Sequence, residues 1–297
     1  MDSLDSLKKD IKSTKDLQNI ISTMKAVASV NIKKYEKAAL NLYRYRDNID
    51  LGIQAILQKY PEMLKHIDYT ENIYEQSKKN NIVIVIGSNQ GLCGRFNDKN
   101  VEFFIENEFE NRDNNYVIVI GDRIEGIIQS KGINIDKKFS TPNSLNNITN
   151  LVYDLFEIIE TKKCEIKKAV IYFTSYNTKN NGNLTKKKIF PLEKKYFEKL
   201  QQKVWPTNSI PFWRIENKNL ISDLIEQYIF CNLYFSISNS MAAEQKNRLL
   251  TLQGAEENIK EHMASTILKY NQTRQGVITS ELIDVVTGSR FLKKKVN

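Results

Sequence analysis

The segment "VIVIGSNQGLCGRFN", residues 83–97, joins a short apolar run to a loop rich in glycine. A strand that turns through glycines into a helix is typical of phosphate-binding loops, but it is equally typical of a closely packed structural turn. A Walker loop has the pattern G-x-x-x-x-G-K-[ST]. Here Gly87 and Gly91 stand one position too close together, and Gly94 is not followed by lysine. The segment therefore predicts a structural strand-to-helix turn, in which Cys93 is a small packing residue.

The middle of the chain repeats this strand-to-helix pattern. Short apolar runs, typical of buried parallel strands, occur at residues 81–87, 115–122 and 168–176. Helix-like stretches lie between and after them, at about residues 94–108, 123–131 and 144–161. Alternating strands and helices predict an α/β unit with right-handed crossovers. The polar stretch 177–188 predicts a hairpin turn that leads into a further strand at 188–192.

The two ends of the chain contain no proline and have helical periodicity. In the first end, apolar residues recur at three- and four-residue steps: Leu4, Leu7, Ile11, Leu17, Ile20, Met24, Val27, Tyr35, Ala38, Leu42, Ile49, Ile53 and Ile56. This periodicity predicts one long helix, which stops before Pro61 because proline disfavours a helical residue in front of it. The same spacing continues in the second end from about Asn219 almost to the terminus.

The predicted helix lengths decide the architecture. At 1.5 Å per residue the first helix spans about 85 Å and the last about 110 Å, whereas a globule of this chain length is about 50 Å across. The helices must therefore project from the globule, and each apolar stripe needs a partner. We predict an α/β fold with a long antiparallel coiled coil of N- and C-terminal helices and a central Rossmann-like domain. The predicted divisions are 1–60, 61–215 and 216–297.

Composition excludes several classes of protein and site. Hydrophobic residues make up 41% of the 297 residues, so the chain is not of the disordered class. No apolar run suggests a membrane span, and the N-terminus lacks the apolar core of a signal peptide. Three separated cysteines and two separated histidines predict no metal site, and we expect no cofactor. The net charge of +9 predicts an acidic partner of some kind: nucleic acid, a membrane surface or an acidic protein.

Four stretches resemble the gamma subunit of F-type ATP synthases, and together they span nearly the whole chain in the family's order. The most specific is "LKYNQTRQGVITSELIDVVTG"; the others are residues 11–38, 88–97 and 243–263. Residues 44–57 and 204–213 resemble the alternative, often sodium-linked, branch of that family.

The resemblance implies a non-catalytic rotating shaft. Its coil would turn inside a hexamer of alternating alpha and beta subunits, and its globular foot would sit on the membrane ring of c subunits beside the epsilon subunit. The chain would be peripheral, on the cytoplasmic face of a bacterial membrane, without nucleic acid and without a membrane span of its own. The alternatives are the shaft of a specialised rotary ATPase that does not make ATP, a nucleotide-binding α/β enzyme, and a basic coiled coil that binds nucleic acid.

Two groups of residues match the positions at which the family contacts the beta subunit. Met24 and Lys25 match a Met–Lys pair near an acidic lever loop of beta; alternatively, Met24 packs on the C-terminal helix and Lys25 is solvated. The second group matches the pattern "RQ…ITxEL" and forms a polar strip about two helical turns long; alternatively, it is ordinary helix surface. Its members are Arg274, Gln275, Thr279 and Glu281.

Two further regions leave the prediction open. The resemblance implies a contact with the ring and with epsilon around residues 196–213, where Trp205, Phe212 and Trp213 either form an exposed docking patch or cover the core. The tail "KKKVN", residues 293–297, departs from the family's pattern because the family's tip enters a largely apolar sleeve.

Overall fold

The computed structural model describes residues 3–66, 80–108, 115–162, 166–177 and 182–294, with the backbone alone at 65–66 and 288–294. Cys164, part of the predicted hairpin turn and the last three residues of the tail lie outside these ranges.

The first and last elements in the chain order are very long helices, and shorter helices and strands lie between them in the sequence. The N-terminal helix α1 covers Leu4–Lys59 and is followed by a 3-10 helix at Pro61–His66. The C-terminal helix α6 covers Asn217–Lys294. The elements between them are β1 (Asn80–Ile86), α2 (Phe96–Glu108), β2 (Asn115–Ile120), α3 (Asp122–Ser130), β3 (Lys137–Phe139), α4 (Leu145–Lys162), β4 (Ile166–Ser175), β5 (Asn183–Phe190) and α5 (Lys194–Gln202).

The five strands form one sheet in the order β3-β2-β1-β4-β5. All neighbouring pairs are parallel except β4 and β5, which are antiparallel. Six of the seven residues of β1 are buried, because β1 lies in the middle of the sheet and apolar clusters cover both faces. The predicted fold class, with long terminal helices and a central sheet domain, is confirmed.

The sheet differs from the sequence prediction at its two edges. The three-residue strand β3 was not predicted, because a strand this short has no periodicity to detect. Strand β5 begins at Asn183, five residues before the predicted start at Lys188. The predicted hairpin into a further strand is confirmed by the antiparallel pairing of β4 with β5. The predicted start of that strand was wrong because an edge strand tolerates lysine and polar residues, which also discourage pairing with another chain.

The chain groups into two compact units. Unit 1 contains residues 1–27 and 249–297, which are the start of α1 and the end of α6. Unit 2 contains residues 28–248, with the sheet and the remaining parts of both helices. In unit 2, Tyr45 contacts Gln227; in unit 1, Lys25 binds Glu256. In each unit the two helices therefore run side by side. The predicted three-part division stays a prediction.

Over residues 17–27 the buried face of α1 is rotated from the predicted one by one residue, or about 100°, whereas Leu7, Tyr35, Ile49, Ile53 and Ile56 are buried as predicted. Leu17, Ile20 and Val27 were predicted on the packed stripe, but they are 52–55% exposed. The buried and half-buried positions instead follow a heptad spacing, at residues 7, 11, 14, 18, 21, 25, 28, 32, 35 and 39. This seam includes Thr14, which is buried. Over residues 17–27 hydrophobicity alone placed the seam on the wrong face, because the stripe that is buried there is the more polar one.

Candidate partner-contact site

Lys25 lies at the seam of unit 1, where it is already paired. Its ammonium group binds Oε2 of Glu256 on α6. Oε1 of Glu256 also accepts a contact of 3.2 Å from Lys260. The hydrogen bond from Lys25, with that from Lys260, lowers the pKa of the Glu256 carboxyl. Lys25 is therefore tied to the C-terminal helix, and its neighbour Met24 is half-buried.

The four residues of the second predicted group are all exposed on α6. The hydroxyl of Thr279 donates a hydrogen bond of 2.8 Å to the backbone carbonyl of Gln275, so it turns inward onto its own helix. Arg274 and Glu281 are seven residues apart and share one side of the helix. Gln275 lies about 100° around the helix from Arg274. The group therefore occupies two neighbouring rows.

The two predicted groups are not brought together. Glu256, which marks the level of Lys25, precedes Arg274 by 18 positions on α6, or about 27 Å of helix. Lys25 and Glu256 lie at the same level of the two helices, which run in opposite directions. Because both helices rise equally per residue, Leu4 on α1 lies level with about Val277 on α6. Among the described residues, therefore, α6 has no turn of α1 beside it beyond this level.

The end of α6 exposes apolar side chains. Every residue from 274 to 287 is exposed, and six large apolar side chains in this stretch are 39–70% exposed: Val277, Ile278, Leu282, Ile283, Val285 and Val286. Four of them, Ile278, Leu282, Val285 and Val286, follow helical spacing and lie on one arc of the helix. An apolar arc of this kind on a helix needs a partner surface. We call residues 277–286 the apolar tip.

The glycine loop after β1 is shaped by close packing. A Cβ atom on Gly87 would lie 2.4 Å from Cβ of Ile124 and 2.7 Å from Oδ1 of Asn97. Gly121, at the end of β2, has φ +122°, and a Cβ there would lie 2.8 Å from the carbonyl oxygen of Ser88. Only glycine fits these two positions, because the ends of β1 and β2 touch each other and the following helices.

The polar groups of the same loop are used inside the chain. The side chain of Asn97 accepts a hydrogen bond from the Ser88 amide and donates one to its hydroxyl, both at 2.9 Å. The guanidinium of Arg248 on α6 lies 3.5 Å from the carbonyl oxygens of Gln90 and Gly91. A phosphate site requires amide groups aimed at the ligand, whereas this loop aims two carbonyl oxygens at an arginine. Its geometry does not suit a nucleotide.

Arg248 forms a buried ion pair that the sequence analysis did not identify. Its guanidinium binds Glu244 at 2.5 Å, and both side chains are less than 9% exposed. Burial raises the pKa of the Glu244 carboxyl, and Arg248 opposes that rise. The available signal was a Glu and an Arg four residues apart, following the small residues of "SNSMAAEQKNR". Burial also raises the pKa of the nearby Cys93 thiol, which suits the predicted packing role.

The segment after α5 contains both of the predicted alternatives. Trp213 packs against the core of unit 2, stacks edge-on with Tyr60 and donates a hydrogen bond of 2.8 Å to Asn217. Phe212 is 79% exposed. Trp205 is half-buried, and its ring nitrogen bonds within its own turn. Trp213 therefore covers the core, whereas Phe212 faces outward.

Within the described ranges, no helix is long and apolar enough to cross a bilayer. The same part of the chain contains no group of three or more His, Cys, Asp and Glu residues arranged to hold a metal ion.

Comparison with known proteins identifies the family. Residues 3–292 match the sequence model of a family described as ATP synthase. Among similar curated proteins are the ATP synthase gamma chains of Rickettsia felis, 29% identical over 305 residues, and Rickettsia typhi, 28% identical over 295 residues. Each alignment covers 97% of this chain and 99% of the relative.

Solved structures agree in fold. The chain is similar to one in the rotor of the Euglena gracilis mitochondrial ATP synthase in rotational state 1, with a TM-score of 0.59, 16% identity and coverage of 93% of this chain and 98% of that one. It is also similar to one in the OSCP/F1/c-ring structure of the same ATP synthase in rotational state 3. There the TM-score is 0.62 with 16% identity, over 97% of this chain and 94% of that one. With the family match over residues 3–292, these findings show that the chain belongs to the ATP synthase gamma-chain family.

Proposed function

We propose that this chain is the central shaft of an F-type ATP synthase. In this role it transmits torque between a membrane ring of c subunits and the catalytic beta subunits, and it carries out no chemistry itself. The complex is proposed to lie at the cytoplasmic face of a bacterial membrane, with the chain as a peripheral subunit. Membership of the gamma-chain family supports this proposal, and the alternative enzyme function is disfavoured by the carbonyl-lined glycine loop.

The apolar tip is the observation that carries the proposal. Its six exposed apolar side chains lie level with the first described residues of α1 or beyond them. A solvated helix surface of this kind is costly, since complete burial of an exposed side chain of this size is worth roughly 1.5–3 kcal/mol and these side chains are partly exposed. An enclosing sleeve formed by the alpha and beta subunits would cover the whole circumference of such a helix, and it would still allow the helix to turn.

The predicted contacts with beta fit this arrangement in part. Arg274, Gln275 and Glu281 are exposed and are free to meet a beta loop in some rotor positions. Exposed polar contacts are worth only about 0–1 kcal/mol, so they allow release at each step. Lys25 differs, because Glu256 already holds its ammonium group. We propose that Lys25 contacts an acidic loop of beta while its ammonium group stays bound to Glu256, with Met24 beside it.

The exposed surface of unit 2 around residues 204–215 is the proposed docking surface for the c ring and the epsilon subunit. Phe212 is exposed here, together with Val204, Ile210 and Ile215. The ammonium group of Lys59 lies 4.9 Å from the ring of Trp213 and 5.7 Å from that of Phe212. An apolar patch with a basic border would favour a partner loop that combines apolar and acidic side chains.

The test is purification of the affinity-tagged chain from its own cells. We expect the alpha, beta, epsilon and c subunits to purify with it in fixed proportion. A variant with Leu282→Ser and Ile283→Ser should lose the alpha and beta subunits but keep the c ring, because only the apolar tip is changed. Recovery of the unmodified chain alone, or with nucleic acid, would exclude the shaft.

A further inference from the structure

Four bonds from helix α6 reach the two loops that follow β1 and β4. Arg248 approaches the glycine loop after β1. Lys246 donates a hydrogen bond of 2.6 Å to the carbonyl of Asn177, beyond the end of β4. The side-chain oxygen of Asn239 accepts a hydrogen bond of 3.0 Å from the amide of Tyr176. All these residues belong to unit 2.

The two loops lie at the point where the order of the sheet reverses. Strand β1 continues to β2 on one side and pairs with β4 on the other. In open α/β sheets the crevice outside the carboxyl ends of such strands is where ligands bind. Here residues of α6 bind the ends of both strands, so the helix takes the place of a ligand.

The bonds reach α6 from different sides. Lys246 and Arg248 are two residues apart, which is about 200° around a helix. Asn239 and Lys246 are seven apart and share one side. The loop after β4 therefore holds one side of the helix and the loop after β1 holds nearly the opposite side. Between them, Ala243 is buried against Cys93 and Phe96.

This arrangement opposes rotation of the helix about its own axis. Apolar packing is non-directional, so it resists separation better than it resists sliding of one smooth surface over another. Bonds to fixed carbonyl oxygens on two opposite sides have to break before the helix can turn. Burial strengthens this effect, because Glu244 holds the guanidinium of Arg248 in place where water has little access.

We propose that Lys246 and Arg248, with Glu244 holding Arg248, are positioning residues that lock the rotational angle of α6 to the sheet domain. We call these three residues the α6 clamp. The inference rests on the proposed shaft function, for which the clamp would pass torque from the sheet domain to α6 without slip.

The test uses the assembled complex and a variant that keeps the packing. Glu244→Leu with Lys246→Met and Arg248→Met replaces the clamp by apolar side chains of similar size and leaves no buried charge unpaired. The measurements are the torsional stiffness of the rotor, from the angular fluctuations of a bead, and the ions pumped per ATP hydrolysed. Lys99→Met is the matched control, since Lys99 is an exposed lysine of α2.

We expect torsional stiffness to fall by about twofold in the triple variant, because charge-assisted bonds are lost and only packing remains. The number of ions pumped per ATP should fall as well, while the Lys99→Met complex behaves as the unmodified one. Lys246→Met alone keeps the buried pair and should give a smaller decrease in both; it decides the matter if the triple variant does not assemble. Unchanged stiffness and coupling would overturn the clamp, whereas failure of the unmodified chain to form a rotating complex would overturn the shaft function instead.

Discussion

Removal of one partner of the Glu244–Arg248 ion pair should lower the unfolding free energy more than replacement of both partners. Arg248→Ala leaves a carboxylate that is almost fully buried, and such a change costs about 3–5 kcal/mol of unfolding free energy. Replacing both residues, Glu244→Leu with Arg248→Met, should change the unfolding free energy by about 1 kcal/mol or less, in either direction. Urea unfolding of the purified chain measures both. Equal losses in the two variants would mean that the side chains act through volume and not through charge.

The same pair predicts a dependence on pH. Burial raises the pKa of the Glu244 carboxyl, and removal of Arg248 takes away the effect that lowers it. The folded state of Arg248→Ala should then bind a proton that the unfolded state binds only at lower pH. Its stability relative to the unmodified chain should therefore recover as pH falls below neutrality. A constant difference between pH 7 and pH 5 would contradict a buried, unpaired Glu244.

Lys187 on β5 is a half-buried cation of unit 2 without a carboxylate bound to it in the described structure. Burial, with a smaller effect from Arg46, lowers the pKa of its ammonium group to about 8. Its bonded partner is Oδ1 of Asn232, at 2.7 Å. Between pH 8 and the ordinary lysine value near 10.5, the unfolded chain binds more protons, so stability should rise with pH over this window.

Lys187→Met should remove that rise and increase stability at pH 7 by about 1 kcal/mol, because the desolvation of a charge is avoided while a bond to Asn232 is lost. Chemical unfolding at a series of pH values from 7 to 10 provides the test. A variant that is less stable at pH 7, or that keeps the full rise, would show that Lys187 is well solvated.

Two glycines of one loop should differ in their tolerance of alanine. Gly87→Ala places a Cβ against Ile124 and Asn97, and overpacking of this kind costs about 1–3 kcal/mol. At Gly91 the nearest atom to a new Cβ is Nη2 of Arg123 at 3.6 Å, which is ordinary contact. Gly91→Ala should stay within about 0.5 kcal/mol. Thermal unfolding of both variants checks this contrast, and equal effects would contradict the packing account of the loop.

Helix α1 shows what periodicity in the sequence can and cannot establish. Its existence follows from spacing, because apolar residues repeat at three- and four-residue steps over the whole segment. Its buried face does not follow over residues 14–27, because Thr14 and Lys25 take seam positions there while Leu17 and Ile20 face outward. The half-buried position of Lys25 depends on Glu256, 231 residues away, and no local pattern contains that information.

The outward apolar stripe of α1 predicts a difference between folding and assembly. Leu17→Gln with Ile20→Gln should change the unfolding free energy of the free chain by less than about 0.5 kcal/mol per site, since both side chains are more than half exposed. The same variant should bind the alpha and beta subunits more weakly, as seen by native gel. Leu7→Ala at the seam is the control and should destabilise the chain itself. Destabilisation by the glutamine pair would place the seam where the sequence first indicated it.

The sheet was predictable wherever strands are fully buried. The runs that became β1, β2 and β4 are nearly continuous in Val and Ile, which is the pattern of central parallel strands. The edge strands β3 and β5 were missed or shortened, because their polar residues resemble those of loops. The pairing of β4 with β5 depends on register between segments, which single-sequence patterns do not carry.

At the scale of the whole chain, the sequence was sufficient to predict the family. The structure adds the contacts between segments that are distant in the sequence. The α6 clamp and the Lys25–Glu256 pair join segments that are far apart in the chain. The apolar tip is identified by its exposure in the described structure. The six predicted contacts with beta stay predictions, although all of them lie in unit 1.

Rotation is the most direct test of the proposed shaft. The chain would be assembled with its alpha and beta subunits on a surface, with a bead attached through Lys99→Cys on α2. Cys93 and Cys231 are buried and should not compete for the label, and Cys164 is replaced by serine in the labelled chain. We expect stepwise rotation in one direction on addition of ATP, with loss of rotation when the apolar tip carries Leu282→Ser and Ile283→Ser. A stable complex that hydrolyses ATP while the labelled chain stays fixed relative to alpha and beta would contradict the shaft function.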